Sequence, residues 1–83
     1  MRYHIQIPEH LGKALRSQRK HLKLSQKEVA KQVGLLPKTI SHLENNPTKA
    51  SIGSLCKLLT ALKMNIVLVP EYDKNSQANQ MEW

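Results

Sequence analysis

A single cysteine among 83 residues excludes a disulfide framework and a cysteine-rich zinc site. Acidic side chains are scarce too: six Asp and Glu stand against thirteen Lys and Arg, a formal net charge of +7. No apolar run approaches the ~18 residues of a membrane span, and no signal peptide opens the chain, so a soluble, intracellular protein is expected. Internal repeats are absent. There is no paired acid and base, no nucleophile beside a base and no phosphate-cradling loop, so neither a catalytic residue nor a cofactor is expected. The four histidines, His4, His10, His21 and His42, share no metal-ligand spacing. The length itself limits the core. A chain this short buries only about 60–65% of its unfolded surface, which favours an oligomer or a stabilising partner.

The charge that is present is uneven. Residues 1–63 hold 12 basic and 3 acidic side chains, whereas 64–83 hold one basic and three acidic. A basic body suits a polyanion, and the slightly acidic tail suits something else. Residues 3–7 (YHIQI) alternate apolar and polar until Pro8, consistent with a short strand or with a frayed terminus. From Glu9 the period becomes helical: Leu11, Ala14, Leu15, Gln18 and Leu22 mark one face, and Lys13, Arg16 and Lys20 the other. Ser25 and Glu28 have the spacing of a capping box that opens a helix over 26–33 with Val29, Ala30 and Val33 inward. Gly34 ends it, Leu35 and Leu36 form a tight connection, and Pro37 starts a helix that runs to about Asn45. Ser51 caps a fourth helix in which Ile52, Leu55, Leu58, Leu59 and Leu62 repeat at 3.6-residue spacing. The segment 65–69 (NIVLV) is β-branched and apolar on both faces, a strand that wants covering on both sides. Two regions result: 1–70, a mainly α domain, and 71–83, a flexible polar tail ending in Trp83.

The informative segment is 26–45, two short helices joined by a glycine-containing turn, the plan of a helix-turn-helix. Ala30 is small where the helices would cross, Gly34 permits the turn, and Ile40 is the apolar plug of the second helix. At 100° per residue, Pro37, Lys38, Ser41, His42 and Asn45 cluster on one side, Ile40 and Leu43 lie opposite, and Thr39 is nearby. The second helix thus shows a short, hydrogen-bonding, cationic stripe without a carboxylate, suited to base edges in a major groove. Lys13, Arg16, Lys20, Lys23, Lys27, Lys31 and Lys38 suit flanking phosphates, because a merely solubilising surface normally mixes signs.

Residues 11–64, most densely LRSQRKHLKLSQKEVAKQVGLLPKTISHLENN, resemble the lambda-repressor/Cro-like (XRE) helix-turn-helix family. The resemblance implies a four-to-five-helix fold. It implies that Gln26 contacts phosphate and braces the recognition helix, and that Arg19 pairs with Glu44. One departure is Leu36, which stands where that family usually has a Ser or Thr cap, a loss worth about 1 kcal/mol. A narrower resemblance, carried by TISHLENNP, the leucine-rich fourth helix, the apolar strand and the terminal MEW, is to the HipB-type antitoxins. These repress transcription and accompany HipA-type serine/threonine kinase toxins, some of which are split between two proteins. It implies that the strand holding Ile66, Val67, Leu68 and Val69 pairs with its copy in a second protomer, and that Trp83 anchors in the kinase or a fragment of it.

Other residues have plainer readings. Cys56 beside Leu55 and Leu59 reads as a small buried hydrophobe rather than a nucleophile. Ser41 and His42 are adjacent on an exposed helix, face partly different directions, and lack a third group to orient the imidazole. Three functions stay open at this level. The first is a dimeric repressor of inverted-repeat operator DNA that is also the antitoxin of a HipA-like kinase, cytoplasmic and nucleoid-associated when bound. The second is a Cro/cI-type repressor without a toxin. The third, a protein-binding adaptor, would want an acidic or apolar recognition face, and this face is neither.

Overall fold

The computed structural model describes residues 2–71, and the expectations placed on 72–83, including Trp83, lie outside them. Four α-helices form: α1 (Pro8–His21), α2 (Gln26–Val33), α3 (Pro37–Asn45) and α4 (Ile52–Ala61), with a 3₁₀ turn over Pro47–Lys49 between the last two. Their ends follow local chemistry. Pro8 supplies the first turn of α1 with a preset φ after extended Ile7, one residue before the expected start. At α2 the Glu28 amide donates to Ser25 Oγ (3.0 Å) and the Ser25 amide to Glu28 Oε1 (2.7 Å), closing the expected capping box. Gly34 ends that helix at φ 69°, ψ 30°. Pro37 opens α3, and Leu36 provides no side-chain cap. Ser51 caps α4 through the Ser54 amide at 3.1 Å.

Two helix ends use lysine where glycine is usual. After α1, Lys23 takes φ 60°, its amide donates to the Lys20 carbonyl (2.9 Å) and the Leu24 amide to that of Arg19 (3.2 Å). After α4, Lys63 takes φ 59° with the equivalent pair, Lys63 to Thr60 (3.2 Å) and Met64 to Leu59 (2.9 Å). Both are Schellman closures that satisfy carbonyls the helix leaves free.

The largest fully buried side chains are Leu15, Val29, Ile40, Leu43, Leu58 and Leu62, drawn from α1, α2, α3 and the α4 segment with its cap residue. Ala30 is buried, as the expected close approach of α2 requires. Removing these side chains from water is the main stabilising term, about 1.5–3 kcal/mol each. Gly12 has the most specific packing role. A Cβ there would collide with the Glu44 carbonyl oxygen and stand 3.3 Å from Pro47 Cγ, so its bare backbone lets α1 lie directly against the end of α3.

Two expectations about α4 are corrected. Ile52 is 70% exposed and Cys56 is exposed. At 100° per residue they sit about 70° and 110° from the centre of the arc formed by Leu55, Leu58, Leu59 and Leu62, on the side of α4 left open to solvent, whereas Ala61, as far round as Cys56 on the other side, is buried. Among the described residues no strand forms. Residues 3–7 make no ladder; Tyr3 Oη instead donates to Ser17 Oγ (3.3 Å) and the Gln6 amide to His10 Nδ1 (3.2 Å). Residues 65–69 also lack a ladder, with exposures over 66–69 from 53% at Ile66 to 86% at Leu68. A strand exists only with a partner, and a single chain offers neither segment one.

Candidate nucleic-acid interface

α2 packs against α3, Val29, Ala30, Ile40 and Leu43 all lie in the buried core, and this packing fixes which side of α3 faces outward. Pro37, Lys38, His42 and Asn45 are exposed, Thr39 and Ser41 are half-buried, and Ile40, Leu43 and Glu44 are buried. The expected stripe therefore lies together on one surface, and the helix's only carboxylate is turned inside. Asn45 Nδ2 donates to Ser41 Oγ at 3.2 Å, tying the last two turns of the stripe and leaving the Ser41 hydroxyl free to donate.

Glu44 is the hub behind that surface. Its side chain has no solvent exposure, and it accepts from Arg19 Nε at 2.6 Å and Arg19 Nη2 at 3.1 Å. Such a two-pronged pair is strong because the guanidinium fork matches the carboxylate. Arg19 Nη1 also donates to the Leu24 carbonyl at 2.9 Å, so the guanidinium is held on three sides. Its hydrogen bond to Glu44 raises the Arg19 pKa; burial opposes this, and the nearby charge of Glu44 adds to it. Gln26 Nε2 donates to Glu44 Oε1 at 3.1 Å, linking the first residue of α2 to the end of α3. The second amide hydrogen of Gln26 remains available. Arg16 Nε stands 3.9 Å from the same oxygen, but its side chain is half exposed and the pair contributes little.

The electrostatic result follows. Arg19 neutralises Glu44 inside, and Glu28 is occupied in its capping box. The outer surface of α1–α3 therefore carries Lys13, Arg16, Lys20, Lys27, Lys31 and Lys38, all exposed, with Glu9 as its other acid. Such a field attracts a polyanion. Lys27 is exposed one residue beyond Gln26, at the start of α2. Among the described residues no three His, Cys, Asp or Glu come together as a metal set, and no helix is long and apolar enough to cross a membrane.

Three contacts escaped the sequence. Gly12 could be found only by asking why a helix would tolerate glycine at a cost of about 1 kcal/mol. Leu24 supplies its carbonyl to Arg19, and backbone acceptors leave no sequence signal. Gln18, placed inward by periodicity, donates Nε2 to the Leu62 carbonyl at 3.0 Å, closing the end of α4.

Residues 15–69 match the family described as Helix-turn-helix. Antitoxin HipB of Escherichia coli O6:H1 is 30% identical over 82 residues, spanning 95% of this chain and 87% of that protein. Antitoxin HipB of E. coli K12 is 28% identical, spanning 95% and 93%. Among solved structures, a HipB–O2 20mer complex superposes with a TM-score of 0.82 at 29% identity, covering 87% of this chain and all of that one. A HipA–HipB–O2–O3 complex gives 0.80 at 30% identity, covering 83% and 97%.

Proposed function

The chain belongs to the helix-turn-helix family, with HipB-type antitoxins as relatives; from that premise we propose that it is a dimeric, sequence-specific transcriptional repressor. It serves as antitoxin and regulator of a HipA-type kinase toxin, in the cytoplasm where its operator lies. The observation that carries this is the outward stripe of α3, free of carboxylates, backed by the buried Arg19–Glu44–Gln26 network and set in a basic surface.

Mechanistically, α3 enters a major groove, and its hydrogen-bonding side chains meet base edges. Lys38 suits guanine O6 and N7, Asn45 suits adenine N6 and N7, and Ser41 and His42 fit either partner of a pair. Pro37 and Thr39 lie alongside. Gln26, with its spare amide hydrogen, and Lys27 grip phosphate and set the register. Glu44 orients Gln26 relative to α3, so the two helices read DNA as one rigid body. The exposed segment 66–69 pairs with its copy across a two-fold axis. That pairing supplies the missing ladder and places two α3 helices about one helical turn of DNA, or a multiple, apart. Residues 71–83 carry the partner contact, with Trp83 as anchor on the kinase or on one of its split parts.

Random-duplex selection followed by footprinting tests the DNA half; an inverted repeat protected by a dimer is expected, and sequence-independent binding contradicts it. Paired titrations of full-length chain and a 79–83 deletion test the other half. Loss of kinase affinity with operator affinity retained supports the antitoxin assignment. Equal kinase affinity for both chains removes Trp83 from it, and no kinase binding by either favours a Cro/cI-type repressor without a toxin.

A further inference from the structure

The turn between α2 and α3 holds two adjacent leucines with opposite fates. Leu35 is half-buried and packs against the core, whereas Leu36 is 64% exposed. Leu36 is the N-cap residue of α3, a position where a hydroxyl or carboxamide would bond a free amide, and it makes no such bond. The backbone tolerates this. Pro37 has no amide to satisfy, and the Thr39 and Ile40 amides already donate to the Leu36 carbonyl at 2.9 and 3.3 Å. A large apolar side chain thus stands mostly in water at the leading end of the helix, where it supplies no cap.

That end is the one a recognition helix presents to base edges. Base edges in the major groove offer one sizeable apolar group, the C5-methyl of thymine, which apolar side chains contact. Resting on the DNA-binding reading above, we propose that Leu36 is a specificity determinant that packs on a thymine methyl in each operator half-site. Lys38 and Ser41, further into the helix, read neighbouring pairs through hydrogen bonds, so the chain combines an apolar and a polar readout on one edge of α3.

The test is a deoxyuridine scan. Each thymine of a half-site in the selected operator is replaced in turn by deoxyuridine, which lacks only the methyl, and binding is titrated for wild type, Leu36→Ala and Leu36→Ser. At one thymine, or two neighbouring ones, wild-type affinity should fall about fourfold, the equivalent of one buried methyl group. Leu36→Ala and Leu36→Ser should bind the thymine operator correspondingly more weakly and be indifferent to deoxyuridine at that position. Circular dichroism confirms that both variants fold. Wild type insensitive to deoxyuridine throughout, or variants as sensitive as wild type, would overturn the role of Leu36 while leaving operator binding intact. Failure to bind any selected duplex would instead remove the DNA-binding reading itself.

Discussion

Replacing Glu44 by Gln keeps the shape of the hub and removes its charge. The guanidinium of Arg19, nearly buried, then loses both charge-assisted bonds at 2.6 and 3.1 Å and faces an amide that offers one oxygen and two competing hydrogens. Breaking a buried pair in this way costs about 3–5 kcal/mol, because a charge is left without compensation. A domain of this size has only about 4–12 kcal/mol of stability in total, so the variant should be close to unfolded at moderate temperature. The pair's own net worth is a different quantity. Replacing both partners, Arg19→Met with Glu44→Leu, removes the desolvation penalty along with the attraction, and such swaps are neutral or stabilising by about 1–4 kcal/mol. Urea unfolding at fixed protein concentration, arranged as a double-mutant cycle, separates the two. The double variant should regain stability yet bind operator poorly, because Gln26 no longer has Glu44 to hold it against α3. The pH dependence has a defined sign. Arg19 has a raised pKa in the fold, so its stabilising contribution is complete below its ordinary value. That contribution fades only as pH climbs through the raised one, leaving the range from neutrality to moderately alkaline flat for this group. A loss below about 1 kcal/mol on Glu44→Gln, the value of an exposed pair, would refute the assignment of Glu44 as a buried hub.

Three further outcomes follow from the same geometry. Gly12→Ala pushes a methyl into the Glu44 carbonyl and should cost about 1–3 kcal/mol, with operator affinity falling because α3 is displaced; unchanged thermal unfolding would contradict that close approach. Lys63→Gly relieves a left-handed lysine at some entropic expense and should stabilise by about 0.5–1 kcal/mol, checked by urea midpoint, whereas destabilisation would mean the lysine side chain contributes there. Val67→Pro removes one ladder donor and should shift sedimentation toward monomer; an undiminished dimer would place the two-fold contact elsewhere.

How much of this was legible in the sequence depends on the range of each interaction. The Ser25–Glu28 box, Gly34, Pro37 and the Ser51 cap are short-range, and each stands where its spacing places it. Ala30 and Ile40 were legible because the helix-turn-helix plan fixes what must be small and what must be apolar. Ile52 and Cys56 were not, since hydropathy marks a residue as able to be buried and only the packing partner decides whether it is. The left-handed lysines were hidden for a related reason: their conformation follows from the Schellman closure, and the side chain gives no sign of it. Arg19 and Glu44 are 25 positions apart, and their pairing came from the family resemblance. The geometry adds that Gln26 and Gly12 converge on the same residue. Residues 65–69 read as a strand because their composition demands cover, and in the single chain that segment stays exposed.

The central claim is that the outward face of α3 reads DNA sequence. The most direct measurement compares wild type with the Lys38→Ala, Ser41→Ala double variant on the selected operator, on single-base variants of it and on unrelated duplex, across a range of salt. The stripe predicts a loss of about 1–3 kcal/mol per base-reading contact on the operator, little change on unrelated DNA, and relaxed preference at the affected base pairs. Operator affinity and preference both unchanged in the double variant would contradict it.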